Sequence, residues 1–113
     1  MIQTFVTFRV LPGRAEDFEA LHRRLLGHMS GMDGCIDVEA HRSAADPLEY
    51  MVHARWESKG AWECAHQTSA EFRGLFAELP VQRHSLSRGS VFEPVYGFVR
   101  GRPSSSAVHT WAI

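Results

Sequence analysis

The chain is 113 residues long, 44% hydrophobic and 22% charged, with a formal net charge of −1. That size and balance describe one soluble globular domain with a modest core, and the near-neutral charge provides no electrostatic footprint for nucleic acid. Two cysteines, Cys35 and Cys64, stand far apart without CxxC spacing; this argues against a disulfide scaffold and for a reducing compartment, with each thiol a small buried side chain rather than a nucleophile.

The first ten residues, MIQTFVTFRV, alternate. Ile2, Thr4, Val6, Phe8 and Val10 fall on one side and Gln3, Phe5, Thr7 and Arg9 on the other, the period of a half-buried strand. Pro12-Gly13 ends it. The stretch lacks the basic start and apolar run of a signal peptide. No run of about 18 apolar residues is available to cross a membrane, so the expected location is cytoplasmic. Phe18, Leu21, His22, Leu25 and Met29 then recur at helical spacing, with Glu16 and Asp17 near the positive end of the helix dipole. Gly31 and Gly34 close that helix. Ile36, Val38 and Ala40 alternate with Asp37, Glu39 and His41 as a second strand, and Ala45-Asp46-Pro47 makes a turn. Tyr50, Val52, Ala54 and Trp56 alternate with Met51, His53 and Arg55 as a third strand, and the short separation predicts an antiparallel hairpin.

Ser58 is placed to cap a short helix holding Trp62, Ala65 and His66. Thr68-Ser-Ala-Glu71 has capping-box spacing for the next one, which aligns Phe72, Leu75, Phe76 and Leu79 until Pro80 stops it. A polar loop follows. Its basic cluster of Arg83, His84 and Arg88 reads as solvated rather than phosphate-binding. A last strand is expected over Val91–Val99. From Gly101 the tail is rich in Pro and Ser and is expected to be flexible, with Trp111 and Ile113 able to dock. The domain thus spans 1–100 and the tail 101–113.

The order β-α-β-β-α-β is the ferredoxin-like arrangement of the α+β class, in which helices cover one face of an antiparallel sheet. The opposite face carries Phe5 and Met51. The last strand is apolar on both sides, with Phe92, Tyr96 and Phe98 on one and Val91, Val95 and Val99 on the other. A bare apolar sheet face is unfavourable in water and implies a partner, most simply an identical chain across a two-fold axis.

The segment YMVHARWESKGAWECAHQTSAEF, from Tyr50 to Phe72, brings two indoles and an imidazole into a strand–helix–helix passage. Placed on this topology, it makes the chain resemble the antibiotic biosynthesis monooxygenase family, whose members are dimeric α+β barrels with two antiparallel sheets packed face to face. The resemblance is carried by FRVLPG at 8–13, GC at 34–35, WES at 56–58 and HQTSAEF at 66–72, and it covers residues 1–99. It implies a homodimer and a site around Trp56, Trp62 and His66. The family's anthrone monooxygenases use the Trp of WES and an aromatic residue six positions on, here Trp56 and Trp62. The usual second residue is Tyr, so Trp62 lacks its hydroxyl. The Asn those enzymes carry four residues before the first Trp is Val52 here. Haem-degrading members use an Asn, a Trp and an axial His at positions matching Val6, His66 and Phe76, so haem degradation by that geometry is disfavoured. His66 does match a His of the quinol-monooxygenase-like members, one residue further from Trp56 than usual.

The resemblance implies cofactor-free oxygenation of an electron-rich aromatic such as an anthrone, phenol or quinol by O2. An aromatic-walled cavity supplies stacking area, and a His near neutral pKa can take a phenolic proton. His66 is the leading base, set against a hydrogen-bonded histidine beside the core. Trp56 and Trp62 are pocket walls, with a core plug as the alternative for Trp56. Tyr50, Val52, Phe72, Arg73 and Phe76 are the candidate substrate contacts. Of these, Tyr50 is more often a packing residue, Phe72 and Phe76 are most simply core, and Arg73 more simply faces solvent. His53 lies opposite Trp56, toward the expected partner. No metal site is expected: His22 and His28 diverge on their helix, and His53 and His66 lack a further ligand at suitable spacing. A non-catalytic dimeric binding protein on the same fold is the alternative of a different class.

Overall fold

The computed structural model describes residues 1–83 and 90–104. His84, Arg88, Trp111, Ile113 and the tail beyond residue 104 lie outside the described residues. Strand β1 (Ile2–Arg9) is followed by helix α1 (Ala15–Ser30), the hairpin of β2 (Cys35–Arg42) and β3 (Glu49–Trp56), helices α2 (Lys59–Thr68) and α3 (Ala70–Glu78), and three short strands: β4 (Ser90–Phe92), β5 (Gly97–Val99) and β6 (Arg102–Ser104). The first four strands form an antiparallel sheet in the order β2-β3-β1-β4. This is the ferredoxin-like α+β fold, with its second helix in two pieces.

Register explains which side chains meet the helices. Ile2 opposes Trp56, Thr4 opposes Ala54, Val6 opposes Val52 and Phe8 opposes Tyr50. Because neighbours on a strand alternate faces, this whole set shares one side. Against it α1 lays Phe18, Leu25 and Met29, and α3 lays Phe72 and Leu75, all buried. The other face carries His53 stacked on Phe5, with ring centroids 4.3 Å apart, and Phe92 edge-on to Phe5 at 5.5 Å. On that face Arg55 is buried against Asp37, which it grips with two donors.

Five expectations are corrected. The last strand does not run through 91–99. Pro94 has no N–H for a ladder, and the chain leaves the sheet after Phe92. Residues 101–104 belong to a β5–β6 hairpin, with Val99 opposite Arg102. Its two-residue loop, Arg100 at φ 51° and Gly101 at φ 81°, has the positive φ values that match the right-handed strand twist. In β2, a bulge between Cys35 and Asp37 turns Ile36 off the core face, where it is exposed. Cys64 is exposed on α2 rather than buried. Arg83 is not merely solvated: its guanidinium donates to the carbonyls of Phe76, Ala77 and Leu79 and sits 5.5 Å from the centre of the Phe76 ring. Among the described residues, no helix is long and apolar enough to cross a membrane.

Candidate active site

Local chemistry at the ends of α2 and α3 fixes the site. Ser58 caps α2, its hydroxyl accepting from the backbone N–H of Ala61 at 3.1 Å. Gly34, at φ 85°, lets α2 approach the α1–β2 loop: a Cβ there would stand 2.5 Å from the Cβ of Ala61. The cap of α3 is Ser69 rather than Thr68. Ser69 Oγ accepts from Phe72 N–H at 3.0 Å, while the Thr68 hydroxyl turns back to the Cys64 carbonyl at 2.7 Å. One residue therefore separates the two helices. His28 on α1 pins that junction, with Nε2 2.9 Å from Ser69 Oγ and Nδ1 3.3 Å from Glu71 Oε2.

Between the sheet and these helices lies a cavity of about 260 Å³. Val6, Phe8 and Val52 floor it from the sheet. Trp62 and His66 enter from α2, and Phe72 and Phe76 from α3. His22 closes it from α1, together with Leu25, Leu26 and Met29. The lining is apolar and aromatic except for the two imidazoles and the Trp62 indole N–H, the composition expected of a small-molecule site.

The His66 ring is held among three aromatic neighbours: Phe72 at 4.6 Å, Trp62 at 5.2 Å and Trp56 at 6.1 Å between centroids. Its Nδ1–H donates to the Trp62 carbonyl at 2.8 Å. A carbonyl only accepts, so this bond selects the tautomer and leaves Nε2 as the basic atom. Burial lowers the His66 pKa from its ordinary value, against a smaller opposing effect of the Trp62 carbonyl. The ring is accordingly neutral near pH 7 and able to accept a proton.

Of the expected site residues, Trp62, His66, Val52, Phe72 and Phe76 are brought together around this cavity. Three stand elsewhere. Trp56 is fully buried behind His66 and is not part of the lining; its indole N–H has no partner among the described residues. Tyr50 donates its hydroxyl to Glu19 Oε2 at 2.5 Å and borders a separate cleft with Arg23, His41 and Arg42. Burial raises its pKa, with Glu19 adding to the effect. That cleft, at about 310 Å³, is the larger, but it is walled by charged groups such as Arg42 and Glu19, 3.8 Å apart. Its only phenyl or indole ring is that of Tyr50, beside the imidazoles of His22 and His41. Arg73 is exposed and donates to the Gln67 carbonyl. His53 lies on the open sheet face, its Nε2 2.5 Å from Gln3 Oε1.

Sequence reasoning treated His22 as part of the core stripe. It is 3% exposed and borders both cavities, stacked on Phe18 at 4.7 Å and edge-on to Phe8 at 5.6 Å. The available signal was a histidine alone on an otherwise apolar helical stripe. Among the described residues, no three His, Cys, Asp or Glu side chains are grouped to hold a metal ion.

Comparison with known proteins agrees with this architecture. The family profile described as antibiotic biosynthesis monooxygenase matches residues 1–78. No protein among the curated sequences matches the chain. Among solved structures, a conserved protein from Methanosarcina mazei Go1 superposes with a TM-score of 0.74 at 19% identity, covering 83% of this chain and 92% of that one. A candidate antibiotic biosynthesis monooxygenase from Bordetella bronchiseptica gives 0.72 at 25% identity, covering 83% and 96%. SnoaB from Streptomyces nogalater, a cofactor-independent oxygenase solved in a mutant form, gives 0.67 at 19% identity, covering 82% and 92%.

Proposed function

The chain belongs to the antibiotic biosynthesis monooxygenase family, and on that premise we propose that it oxidises an electron-rich aromatic, an anthrone, phenol or quinol, with molecular oxygen and without a cofactor. The observation that carries this reading is the His66 imidazole. Its tautomer is selected by the Trp62 carbonyl, it is kept neutral by burial, and it stands in the wall of an aromatic cavity. The likeness to a cofactor-independent oxygenase supports the same chemistry.

In the proposed reaction, His66 Nε2 takes the acidic proton of the bound phenol or anthrone. The resulting anion gives one electron to O2, and the substrate radical and superoxide join through a new C–O bond to a peroxide. His66 returns its proton to the distal peroxide oxygen, and where that carbon still bears a hydrogen, loss of water breaks the O–O bond and leaves a carbonyl. One oxygen atom enters the product, the other leaves as water, and all four electrons come from the substrate. The aromatic walls orient the ring plane by stacking. The open sheet face, with exposed Phe92 beside Phe5 and His53, is proposed to pack on a second copy of the chain.

The second reading is a binding protein without turnover. It is favoured by the cavity floor, where Val6 and Val52 pair across β1 and β3 and offer no polar group. Oxygen uptake by metal- and flavin-stripped protein with a panel of anthrones and hydroquinones separates the two. Uptake above autoxidation that falls in His66→Ala supports the oxygenase. Quenching of tryptophan fluorescence without uptake supports the binder.

A further inference from the structure

The cavity wall has an order that the base at His66 does not use. From His66 the rings run in sequence to Phe72 at 4.6 Å, Phe76 at 6.0 Å, Phe8 at 6.1 Å and His22 at 5.6 Å, each distance from the ring before it. All five side chains line the cavity. The wall is an arc of three phenyl rings with an imidazole at each end. The His22 end is deep, at 3% exposure, and its Nε2 has no hydrogen-bond partner among the described residues. Buried polar nitrogens are rarely left so. His22 packs between Phe18 and Phe8, neither of which can hydrogen-bond in the ring plane, and it borders this cavity as well as the Tyr50 cleft, so a ligand in the cavity is one partner this geometry allows.

We propose that His22 is a ligand-binding residue, forming a hydrogen bond to a second oxygen of the aromatic ligand at the end of the cavity remote from His66. The site then selects aromatics carrying oxygen functions on two sides of the ring system over those carrying one. This rests on the reading of the cavity as a small-aromatic site, and it names the substrate class more narrowly. A pocket built around a polar group discriminates strongly against an analogue lacking the matching group, because binding that analogue leaves the group buried and unpaired. His22 stays neutral throughout: burial lowers its pKa to about 4, so it offers one donor and one acceptor.

The test is binding, measured anaerobically by quenching of tryptophan fluorescence, with 1,4-dihydroxynaphthalene and 1-naphthol as a matched pair. Wild type is expected to bind the diol about tenfold more tightly, the selectivity of roughly one hydrogen bond. His22→Phe and His22→Leu, which fill the space with two different apolar shapes so that one failing to fold leaves the other, are expected to abolish the preference. His22→Gln, which keeps a hydrogen-bonding group, is expected to retain part of it. Three results would overturn the proposal: no preference in wild type, including no binding of either compound; an undiminished preference in a folded apolar variant; or a loss in folded His22→Gln as complete as in His22→Phe. Oxygen uptake on the same samples keeps the two readings apart. Preference without uptake removes the oxygenase and leaves His22 as the anchor. Uptake without preference does the reverse.

Discussion

The Trp62 carbonyl accepts the Nδ1–H of His66 at 2.8 Å, one turn along the same helix. The two residues also share the cavity wall, with rings 5.2 Å apart. The residue that supplies aromatic surface thus also dictates, through its backbone, which nitrogen of the neighbouring imidazole is basic.

That relationship predicts a specific loss. His66→Ala removes the proposed base while keeping helix propensity, and turnover is expected to fall about 10²-fold or more, the usual contribution of a positioned general base. The melting temperature should move little by comparison. His66 must be neutral to act and burial lowers its pKa, so activity in the wild type should fall only as pH drops below the ordinary histidine value of about 6.5. Oxygen-uptake rates from pH 4 to 8 check this. A rate that is flat across that range, or unchanged in the variant, removes His66 from the mechanism.

Gly34 carries a second prediction. Its φ of 85° and the 2.5 Å approach that a Cβ would make to Ala61 leave no room for a side chain. Gly34→Ala is expected to destabilise the fold by about 1 kcal/mol from backbone conformation alone, with more from the clash. It should also weaken ligand binding, because α2 carries Trp62 and His66. Adding Ala61→Gly should recover the clash component. Additive losses in the double variant, read by denaturant melts, would show that the contact is not the cause.

At the far end of α3, Arg83 satisfies the carbonyls of Phe76, Ala77 and Leu79. Helix C-termini leave such groups without intrahelical partners, and a cation there also complements the dipole. Arg83→Ala should lower stability by about 1 kcal/mol, seen as a lower melting temperature. Arg83→Lys should recover part through charge alone.

His22 makes stability depend on pH. Its folded pKa of about 4 lies below the ordinary 6.5, so between those values the unfolded chain binds the extra proton. Stability contributed by this group is complete above pH 6.5 and is lost as pH falls toward 4, with a slope of up to about 1.4 kcal/mol per pH unit. Phe8 and Phe18, which flank the ring, carry no charge to oppose this. Denaturant melts from pH 4 to 7 should show a shallower acid loss in His22→Phe than in wild type. His53, whose pKa burial also lowers to about 4, should leave part of the loss in place.

Patterns of period two and 3.6 made the first three strands and the first helix legible, because burial on one face leaves a direct imprint on residue type. Ser58 was readable for the same local reason. The break at Pro94 was written in the sequence as well, yet the apolar run from Val91 to Val99 masked it. Exposed Val95 and Tyr96 show that hydrophobicity alone did not mark a strand. Two adjacent hydroxyls, Thr68 and Ser69, were available for one cap, and the one that serves, Ser69, also meets His28 from a remote helix. At the site, Trp62 and His66 were close in sequence and easily linked. His22 was not: a lone histidine on an apolar helical stripe marked it as unusual, but its membership of the cavity depends on how α1 packs over β1, a tertiary fact.

The ring arc draws its members from four separate elements: Phe8 from β1, His22 from α1, His66 from α2, and Phe72 and Phe76 from α3. No loop rearrangement is required to alter any one of them. A single replacement can therefore reshape one stretch of the wall while the other three elements keep theirs in place.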